Sequence, residues 1–276
     1  MLPSEQTTHH PAFTRNRFPP SPPEIDDEYF EWIALLEAAQ SARNQFTFVE
    51  LGSGKGRWSA RAIKAAEAAG MTGRAILVEA EPGHADDTAE FMASEGIDPS
   101  CYHLIRAAVA AQRGTMPFVV EGPHGFTKDN WLGQALLSCA SMDRSHFAPA
   151  YKWRIFPERY YGKQIYRDAQ RWGFIEVDVL QLADVLPDDG TIDLIDMDIQ
   201  GAEGELIHAN IELLTKRVKR VCIATHSTGV EETIRRDLAA AGWDMVFDYP
   251  LQTETMTDYG LIAFRDGVQY WVNGRI

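Results

Sequence analysis

The sequence predicts an α/β fold in which a doubly wound, mostly parallel sheet of seven strands is covered by helices. Short apolar runs alternate along the chain with segments of helical length. Strands joined by helices rather than by two-residue turns need crossover connections, and these make the sheet parallel. A glycine-rich turn also follows the first strand, at the position where open α/β sheets bind ligands.

The first half of the domain begins with an amphipathic helix from Asp26 to about Ala42, in which apolar residues recur at helical spacing. After this helix the same patterns predict strands at 46–51, 75–80 and 102–109, and helices at 58–69 and 84–94. Gly70 follows one of these helices, where a left-handed capping residue is expected.

The second half repeats the alternation. Strands are predicted at 192–197 and 218–225, and helices at 203–214 and 231–241. Segments 243–248 and 259–264 are predicted as closing strands. The pair Asp266-Gly267 indicates a hairpin that leads to a last strand at 268–272.

Two stretches stand outside this alternation. Residues 1–24 are polar and rich in proline, which predicts an irregular arm before a single domain at 25–276. Residues 122–174 hold many aromatic residues among Lys, Arg and His. This insertion is either a helical unit with its own small core or a lid over a bound substrate. Its candidate substrate contacts are His124, His146, Arg154 and Tyr161.

Composition limits the classes of partner. The chain has 26 Lys and Arg against 40 Asp and Glu, a net charge of -14 that should repel nucleic acid. Its cysteines, Cys101, Cys139 and Cys222, lack the spacing of a zinc site or of a disulfide framework. Neither a signal peptide nor a run of roughly 20 apolar residues is visible. We expect a soluble, cytoplasmic protein that acts on a small molecule, with no nucleic-acid or membrane partner.

The glycine-rich turn at 50–56 reads Glu-Leu-Gly-Ser-Gly-Lys-Gly. A P-loop would require glycine at 49 and serine or threonine at 56, where Val49 and Gly56 stand. A dinucleotide fingerprint would require its third glycine at 57, where Arg57 stands. The spacing that remains resembles motif I of class I methyltransferases. That resemblance implies a loop that wraps the amino-acid half of S-adenosylmethionine, although a structural turn without ligand is the alternative.

The second strand supports the cofactor interpretation. It places Glu79 at its carboxyl end, where a carboxylate can accept two hydrogen bonds from ribose hydroxyls. Glu81 is expected to be a solvated turn residue. The predicted cofactor-binding residues are Glu50, Gly52, Ser53, Gly54, Gly56, Trp58, Glu79, Ala80, Ala108 and Asp198.

Residues 198–203, Asp-Ile-Gln-Gly-Ala-Glu, follow an Ile-Asp-Leu-Ile strand and resemble the hallmark of the FkbM family of S-adenosylmethionine-dependent methyltransferases. Matching features cover 46–109 and 177–264. The resemblance implies a Rossmann-like class I fold and methylation of a hydroxyl on a sugar or secondary metabolite. The chain departs from the family in its first loop, at Asp196 where lysine is common, and at 181–184. These departures leave the acceptor open.

Methyl transfer to an alcohol needs alignment and removal of a proton. His226, at the end of the fifth strand, is the predicted general base, and Asp198 is predicted to orient the methionyl amine, the acceptor or the histidine. Asp196 is expected to bond to the backbone or to a cation. As an alternative, Asp196, Asp198, Glu203 and His226 could bind Mg²⁺.

The remaining histidines are expected at the surface or in packing. They are His9, His10, His84 and His208. Two rival functions stay open: a nicotinamide-dependent oxidoreductase on a similar fold, and a non-catalytic protein that binds S-adenosylmethionine. The sequence does not indicate an oligomeric state.

Overall fold

The structure is a computed structural model that describes residues 23–122, 125–126, 136, 154–167 and 172–276. Nearly all of the predicted arm at 1–24 therefore lies outside the described residues, as do His9, His10 and Cys139.

The first half of the chain follows the predicted order of helices and strands. It contains α1 (Glu28–Ser41), β1 (Gln45–Leu51), α2 (Arg57–Ala68), β2 (Thr72–Val78), α3 (Pro82–Ser94) and β3 (Tyr102–Ile105). Six further strands come next, namely β4 (Ala108–Val109), β5 (Gly114–Gly122), β6 (Gly125–Phe126), β7 (Arg154–Tyr160), β8 (Lys163–Arg167) and β9 (Gly173–Leu180).

The rest of the chain returns to the alternation of helices and strands. It contains α4 (Leu182–Val185), β10 (Leu194–Met197), α5 (Glu203–Arg217), β11 (Arg220–Thr225), α6 (Thr228–Ala240), β12 (Trp243–Tyr249), β13 (Thr253–Thr257), β14 (Gly260–Phe264) and β15 (Gly267–Asn273).

The main sheet has seven strands in the order β3-β2-β1-β10-β11-β15-β12. The pairings from β3 to β11 are parallel, whereas β15 runs antiparallel to both β11 and β12. The predicted doubly wound, mostly parallel sheet is therefore confirmed. Its strand order reverses between β1 and β10, and such a reversal opens a crevice at the carboxyl ends of the strands.

Apolar residues cover both faces of this sheet. Phe46 and Phe48 of β1 pack on one face with residues of α1, α2 and α3. Val49 and Leu51 of the same strand pack on the other face with residues of α4, α5 and α6. A central parallel strand that is buried on both sides explains why β1 has a nearly continuous apolar sequence. Within the described residues no helix has the length and apolar character needed to cross a bilayer.

A second sheet joins strands of the predicted insertion to β5 and β9, most of whose residues lie outside the insertion. Its strands follow the order β6-β5-β9-β8-β7, and β4 also pairs with β9. It has its own apolar core, which includes Phe118, Leu136, Ile165 and Ile175. The described part of the insertion thus forms strands, and the helical interpretation of it is wrong for those residues.

Two strand predictions need correction. The predicted strand at 102–109 breaks after Ile105, because the chain leaves the main sheet there and continues as β4 in the second sheet. The predicted closing strand at 259–264 pairs instead with β13, as a separate two-stranded sheet. Asp266-Gly267 therefore leads into β15 without forming a β14–β15 hairpin, since β15 lies between β11 and β12.

Candidate active site

A cleft opens at the carboxyl ends of the main-sheet strands, at the reversal between β1 and β10. The cleft has a volume of about 110 Å³. Its lining includes six of the predicted cofactor-binding residues, namely Gly52, Gly54, Glu79, Ala80, Ala108 and Asp198. Val78, His84, Ala107, Val109, Phe118, Leu136, Ile199 and Gln200 complete it.

The glycine loop after β1 has left-handed backbone angles that explain its composition. The φ angles of Gly52, Gly54 and Gly56 are +83°, +54° and +81°, a region that other residues adopt only with strain. A Cβ at Gly52 would lie 1.9 Å from the carbonyl oxygen of Asp198. The loop can therefore contact the end of β10 only because residue 52 has no side chain.

Backbone hydrogen bonds fasten this loop to β2. The N–H groups of Gly52 and Ser53 donate to the carbonyl of Val78 at 2.9 and 3.0 Å. The N–H of Gly54 donates to Oε2 of Glu79 at 2.6 Å. The loop and the strand-end carboxylate thus form one connected wall of the cleft.

Glu79 is buried and accepts a second hydrogen bond, from the N–H of Glu81 to Oε1 at 2.7 Å. Burial raises the pKa of Glu79 to about 8, although the two backbone donors oppose that rise. Each carboxylate oxygen can accept more than one hydrogen bond, so Glu79 keeps the capacity to accept hydroxyl donors from the cleft.

The other four predicted cofactor residues have structural contacts. Glu50 accepts hydrogen bonds from the N–H and hydroxyl of Ser59, at 2.9 and 2.5 Å, near the start of α2. Burial raises the pKa of Glu50 to about 7, against the opposing effect of Ser59. Trp58 packs against Trp32. None of Glu50, Ser53, Gly56 and Trp58 is among the residues that line the cleft.

Next to Asp198, which lines the cleft, His226 lies between two carboxylates. Its Nδ1 is 2.9 Å from Oε1 of Glu203, and its Nε2 is 3.2 Å from Oδ1 of Asp198. The second contact is an ion pair whose angle is poor for a hydrogen bond. Glu203 is fully buried, whereas half of the Asp198 side chain is exposed.

Buried Glu203 also fixes the hallmark loop. Its carboxylate accepts hydrogen bonds from the N–H groups of Ile199, at 3.1 Å, and Gly201, at 3.0 and 3.1 Å. Gln200 in this loop has a φ of +54°, and its side-chain amide donates to Asp198 at 2.7 Å. The acidic residues at both ends of the Asp-Ile-Gln-Gly-Ala-Glu sequence therefore accept hydrogen bonds from residues between them.

The charge state of His226 follows from this geometry. Burial alone would lower the pKa of His226, but the contacts with Asp198 and Glu203 outweigh it and raise the pKa to about 11. The ring is then an imidazolium at neutral pH. An imidazolium already holds the proton that a general base must accept, which argues against the role predicted for this residue.

Three of the four residues in the predicted metal set come together. Side-chain ligand atoms of Asp198, Glu203 and His226 all lie within 4.8 Å of one another. This donor set fits Mg²⁺ poorly, because Mg²⁺ prefers oxygen ligands and the Glu203 oxygens already accept backbone hydrogen bonds. Asp196 lies apart from the group and pairs in register with Glu50, and its pKa is raised by burial and by the Glu50 charge.

Two residues near the start of α3 are buried, and for one of them this differs from the prediction. Glu81 is buried rather than solvated, and its carboxylate caps α3 by accepting from the N–H of His84 at 2.6 Å. The phenol of Tyr160 also bonds to it. His84 is buried, which agrees with the packing alternative expected for it, and it also lines the cleft. The Glu-Pro dipeptide before α3 is a helix-start signal that would have identified the cap.

The second sheet adds three cleft residues that the sequence did not indicate. Val109 of β4, Phe118 of β5 and Leu136 form part of the lining. Among the predicted substrate contacts, Tyr161 lies in the turn between β7 and β8, and a Cβ on Gly83 would come within 3.0 Å of its hydroxyl. His124, His146 and the side chain of Arg154 lie outside the described residues.

Most of the chain matches a known protein family. Residues 50–238 match the family model described as the methyltransferase FkbM domain. The chain belongs to the FkbM methyltransferase family. The matched residues include the glycine loop, Glu79, the hallmark loop and His226, so the recognised domain contains both ends of the cleft.

Individual relatives of this FkbM-family chain are distant. A protein of Jannaschia sp. (strain CCS1), itself named only as a predicted methyltransferase, is 25% identical over 221 residues, which cover 80% of this chain and 70% of that protein. The crystal structure of an FkbM methyltransferase from Methylobacillus flagellatus KT has 12% identity and a TM-score of 0.47. That likeness covers 84% of this chain but only 45% of the solved one.

Proposed function

We propose that this FkbM-family protein transfers the methyl group of S-adenosylmethionine to a hydroxyl group on a small molecule. The observation that carries the cofactor assignment is the bond between the N–H of Gly54 and the buried carboxylate of Glu79. It joins a backbone that can approach a ligand closely to an acceptor for ribose hydroxyls, within one cleft.

The lining residues suit the successive parts of such a cofactor. Gly52 and Gly54 would lie along its amino-acid half, and Glu79 would accept from its ribose. Ala80 and Ala108 leave room for a flat base. When bound, the cofactor supplies an electrophilic methyl group on a sulfonium sulfur.

The acceptor end suggests roles for Asp198 and His226 that reverse the sequence-based assignment. Asp198 is half exposed and can reach an acceptor hydroxyl, whereas the largely buried His226 holds Asp198 through its charge. The hydroxyl becomes strongly acidic as its oxygen forms the new bond to carbon, so a carboxylate suffices to accept its proton. His226 is then a positioning residue.

Several properties support a small-molecule acceptor. The net charge of -14 opposes binding of a polyphosphate. Phe118 and Leu136 bring an apolar wall from the second sheet to the cleft.

Cys101 and Cys222 are free thiols, which suits the reducing cytoplasm. The cytoplasmic location and a lid role for 122–174 are parts of this proposal.

Binding measurements with matched ligands test the cofactor assignment. We expect S-adenosylmethionine and its demethylated product to bind and to raise the melting temperature, and NAD(P) to do neither. Gly54→Val should abolish binding by placing a branched side chain in the cleft wall at a left-handed φ. Gly96→Val is the control, because Gly96 also has a left-handed φ, of +75°, but no atom lies within 4 Å of the position that a Cβ would take.

Stabilisation by NAD(P) alone would support the oxidoreductase alternative and reject the proposal. Binding of S-adenosylmethionine with no methyl transfer to any of a panel of hydroxylated metabolites would instead favour the non-catalytic alternative. Mass spectrometry of the panel after incubation detects an added methyl group directly. It therefore separates the proposed methyl transfer from the non-catalytic alternative.

A further inference from the structure

A second cavity lies at the amino ends of the main-sheet strands, whereas the cleft lies at their carboxyl ends. Its volume is about 600 Å³, which is within the range of small-molecule sites. The starts of β1, β2 and β3 line it, together with the loops that precede β10 and β11. Among the described residues none lines both the cavity and the cleft, so the two are separate.

We propose that this cavity binds a small organic anion through its carboxylate or phosphate group. The described lining carries three Lys or Arg side chains against two carboxylates, namely Arg43, Arg74 and Lys219 against Asp189 and Asp193. The chain as a whole has the opposite balance, with 26 Lys and Arg against 40 Asp and Glu. A cavity with excess positive charge in so acidic a protein favours an anionic ligand.

One cation of the cavity is held in place by a buried carboxylate. Asp193 is buried, and its two oxygens accept from Nζ of Lys219 at 2.7 Å and from the N–H of Thr47 at 2.8 Å. The carboxylate balances the charge of Lys219 but occupies only one of the three donors of its ammonium group. The Lys219 side chain is 30% exposed, so the other donors can bond to a ligand.

The two arginines bring charge that no described residue neutralises. Arg43 and Arg74 are exposed, and neither has an ion pair or a side-chain hydrogen bond within the described part of the chain. Arg74 pairs in register with Thr47, so their side chains share one face of the sheet. The chain turns at Asn44, whose φ is +64°, and the N–H of Gln45 donates to the Arg43 carbonyl at 2.7 Å. This turn brings Arg43 back to the cavity that Arg74 lines.

The lining also indicates the kind of anion. The planar fork of a guanidinium group matches the oxygens of a carboxylate or a phosphate, and such bidentate pairs are strong. Ile76, Tyr102 and Pro187 add carbon surface that can contact the skeleton of an organic ligand. One wall is fixed, because Nε and NH2 of Arg217 donate to the carbonyl of Gly190 at 3.1 and 2.9 Å. Charge and carbon surface together suit an organic anion better than inorganic phosphate.

Isothermal titration calorimetry with phenyl phosphate, benzoate and inorganic phosphate tests the site in a buffer that contains neither phosphate nor carboxylate. We expect phenyl phosphate or benzoate to bind with a Kd below roughly 1 mM and more tightly than inorganic phosphate. The tighter of the two identifies the head group. Arg43→Gln and Arg74→Gln should each weaken that binding by roughly tenfold, because each removes a charged donor. Arg265→Gln is the matched control, since Arg265 is exposed and lies outside the cavity lining.

An NMR titration with the tighter probe at constant pH locates the bound anion. The imidazole signals of His103, which lines the cavity, should shift, whereas those of His208 on α5 should not. A shift of His84 in place of His103 would put the anion in the cleft and overturn the inference. Absence of binding by all three probes, or full affinity in both arginine variants, would also overturn it. Inorganic phosphate binding as tightly as the organic probes would reject an organic anion.

Discussion

Two carboxylates follow neighbouring regions of the same sheet and are held in opposite ways. Glu79, after β2, is buried and accepts from the backbone N–H groups of Gly54 and Glu81. Asp198, after β10, is half exposed and is contacted by the side chains of His226 and Gln200. Glu79 is thus held by backbone groups and Asp198 by side chains, so under the proposed function substitutions around Asp198 can change acceptor chemistry without disturbing the glycine loop.

The largest expected effect comes from Gly52, where the two regions touch. In Gly52→Ala the new Cβ would lie 1.9 Å from the carbonyl oxygen of Asp198. Residue 52 also has a φ of +83°, which strains any residue other than glycine. We expect a loss of about 4 kcal/mol in the free energy of unfolding, measured by urea denaturation. Gly70→Ala is the control: its φ is +79° but no atom lies within 4 Å, so it should lose only about 1 kcal/mol. Equal losses would contradict this account.

Glu79→Gln should weaken cofactor binding without changing Asp198 and its contacts. At pH 9, where the Glu79 carboxyl is ionised, the amide keeps the size of the side chain but replaces a charged acceptor of ribose hydroxyls. We expect the affinity for S-adenosylhomocysteine to fall by roughly 100-fold, as calorimetry would show. Glu67→Gln, an exposed position on α2, serves as the control and should bind normally. An unchanged affinity for Glu79→Gln would remove Glu79 from the cofactor site.

Asp198→Asn should produce the converse pattern. We expect kcat to fall by roughly 10-fold to 100-fold, because the acceptor proton loses its carboxylate, while the affinity for S-adenosylhomocysteine changes by less than about threefold. Steady-state kinetics and calorimetry on one preparation give both values. A fall in affinity comparable to that of Glu79→Gln would instead place Asp198 on the methionyl amine.

The pKa of Glu79 predicts a smaller effect of pH on cofactor binding. Burial raises that pKa to about 8, so the carboxyl is mostly protonated at pH 7 and ionised at pH 9. Ribose donors prefer the ionised form, and affinity for S-adenosylhomocysteine should therefore rise by roughly tenfold between these values. Calorimetry in two buffers of different ionisation enthalpy should detect proton release at pH 7. Glu79→Gln should show neither response.

Chelation should have the smallest effect. Because the Glu203 oxygens accept from the backbone and His226 is protonated, we expect EDTA to change the rate by less than about twofold. Activity that disappears with EDTA and returns with Mg²⁺ would establish the metal alternative at the acceptor end.

Local sequence patterns predicted the parts of the site that depend on local structure. Gly52, Gly54, Glu79 and Asp198 follow strand ends, and the strands could be located from their apolar runs. Glu50 lies close to a strand end as well, but its carboxylate bonds to Ser59 within the next helix, and its role toward a cofactor stays a prediction. A strand end places a residue near the cleft but does not determine which way its side chain turns.

The remainder depends on contacts between distant segments. Buried Glu81 bonds to Tyr160 of the second sheet, whose position no local periodicity indicates. The charge of His226 likewise needs two carboxylates at defined distances, which the sequence could suggest as residue types but not as geometry. Residue identity was therefore more predictable than protonation state.

The placement of β15 has a consequence for how the protein is made. This strand, Gly267–Asn273, lies between β11 and β12 although both precede it in the chain. While a ribosome is still synthesising it, β11 lacks its outer neighbour and β12 has no partner in the main sheet. The nascent chain must therefore wait for its last described strand before the sheet can close, and during that interval the exposed strand edges are open to aggregation.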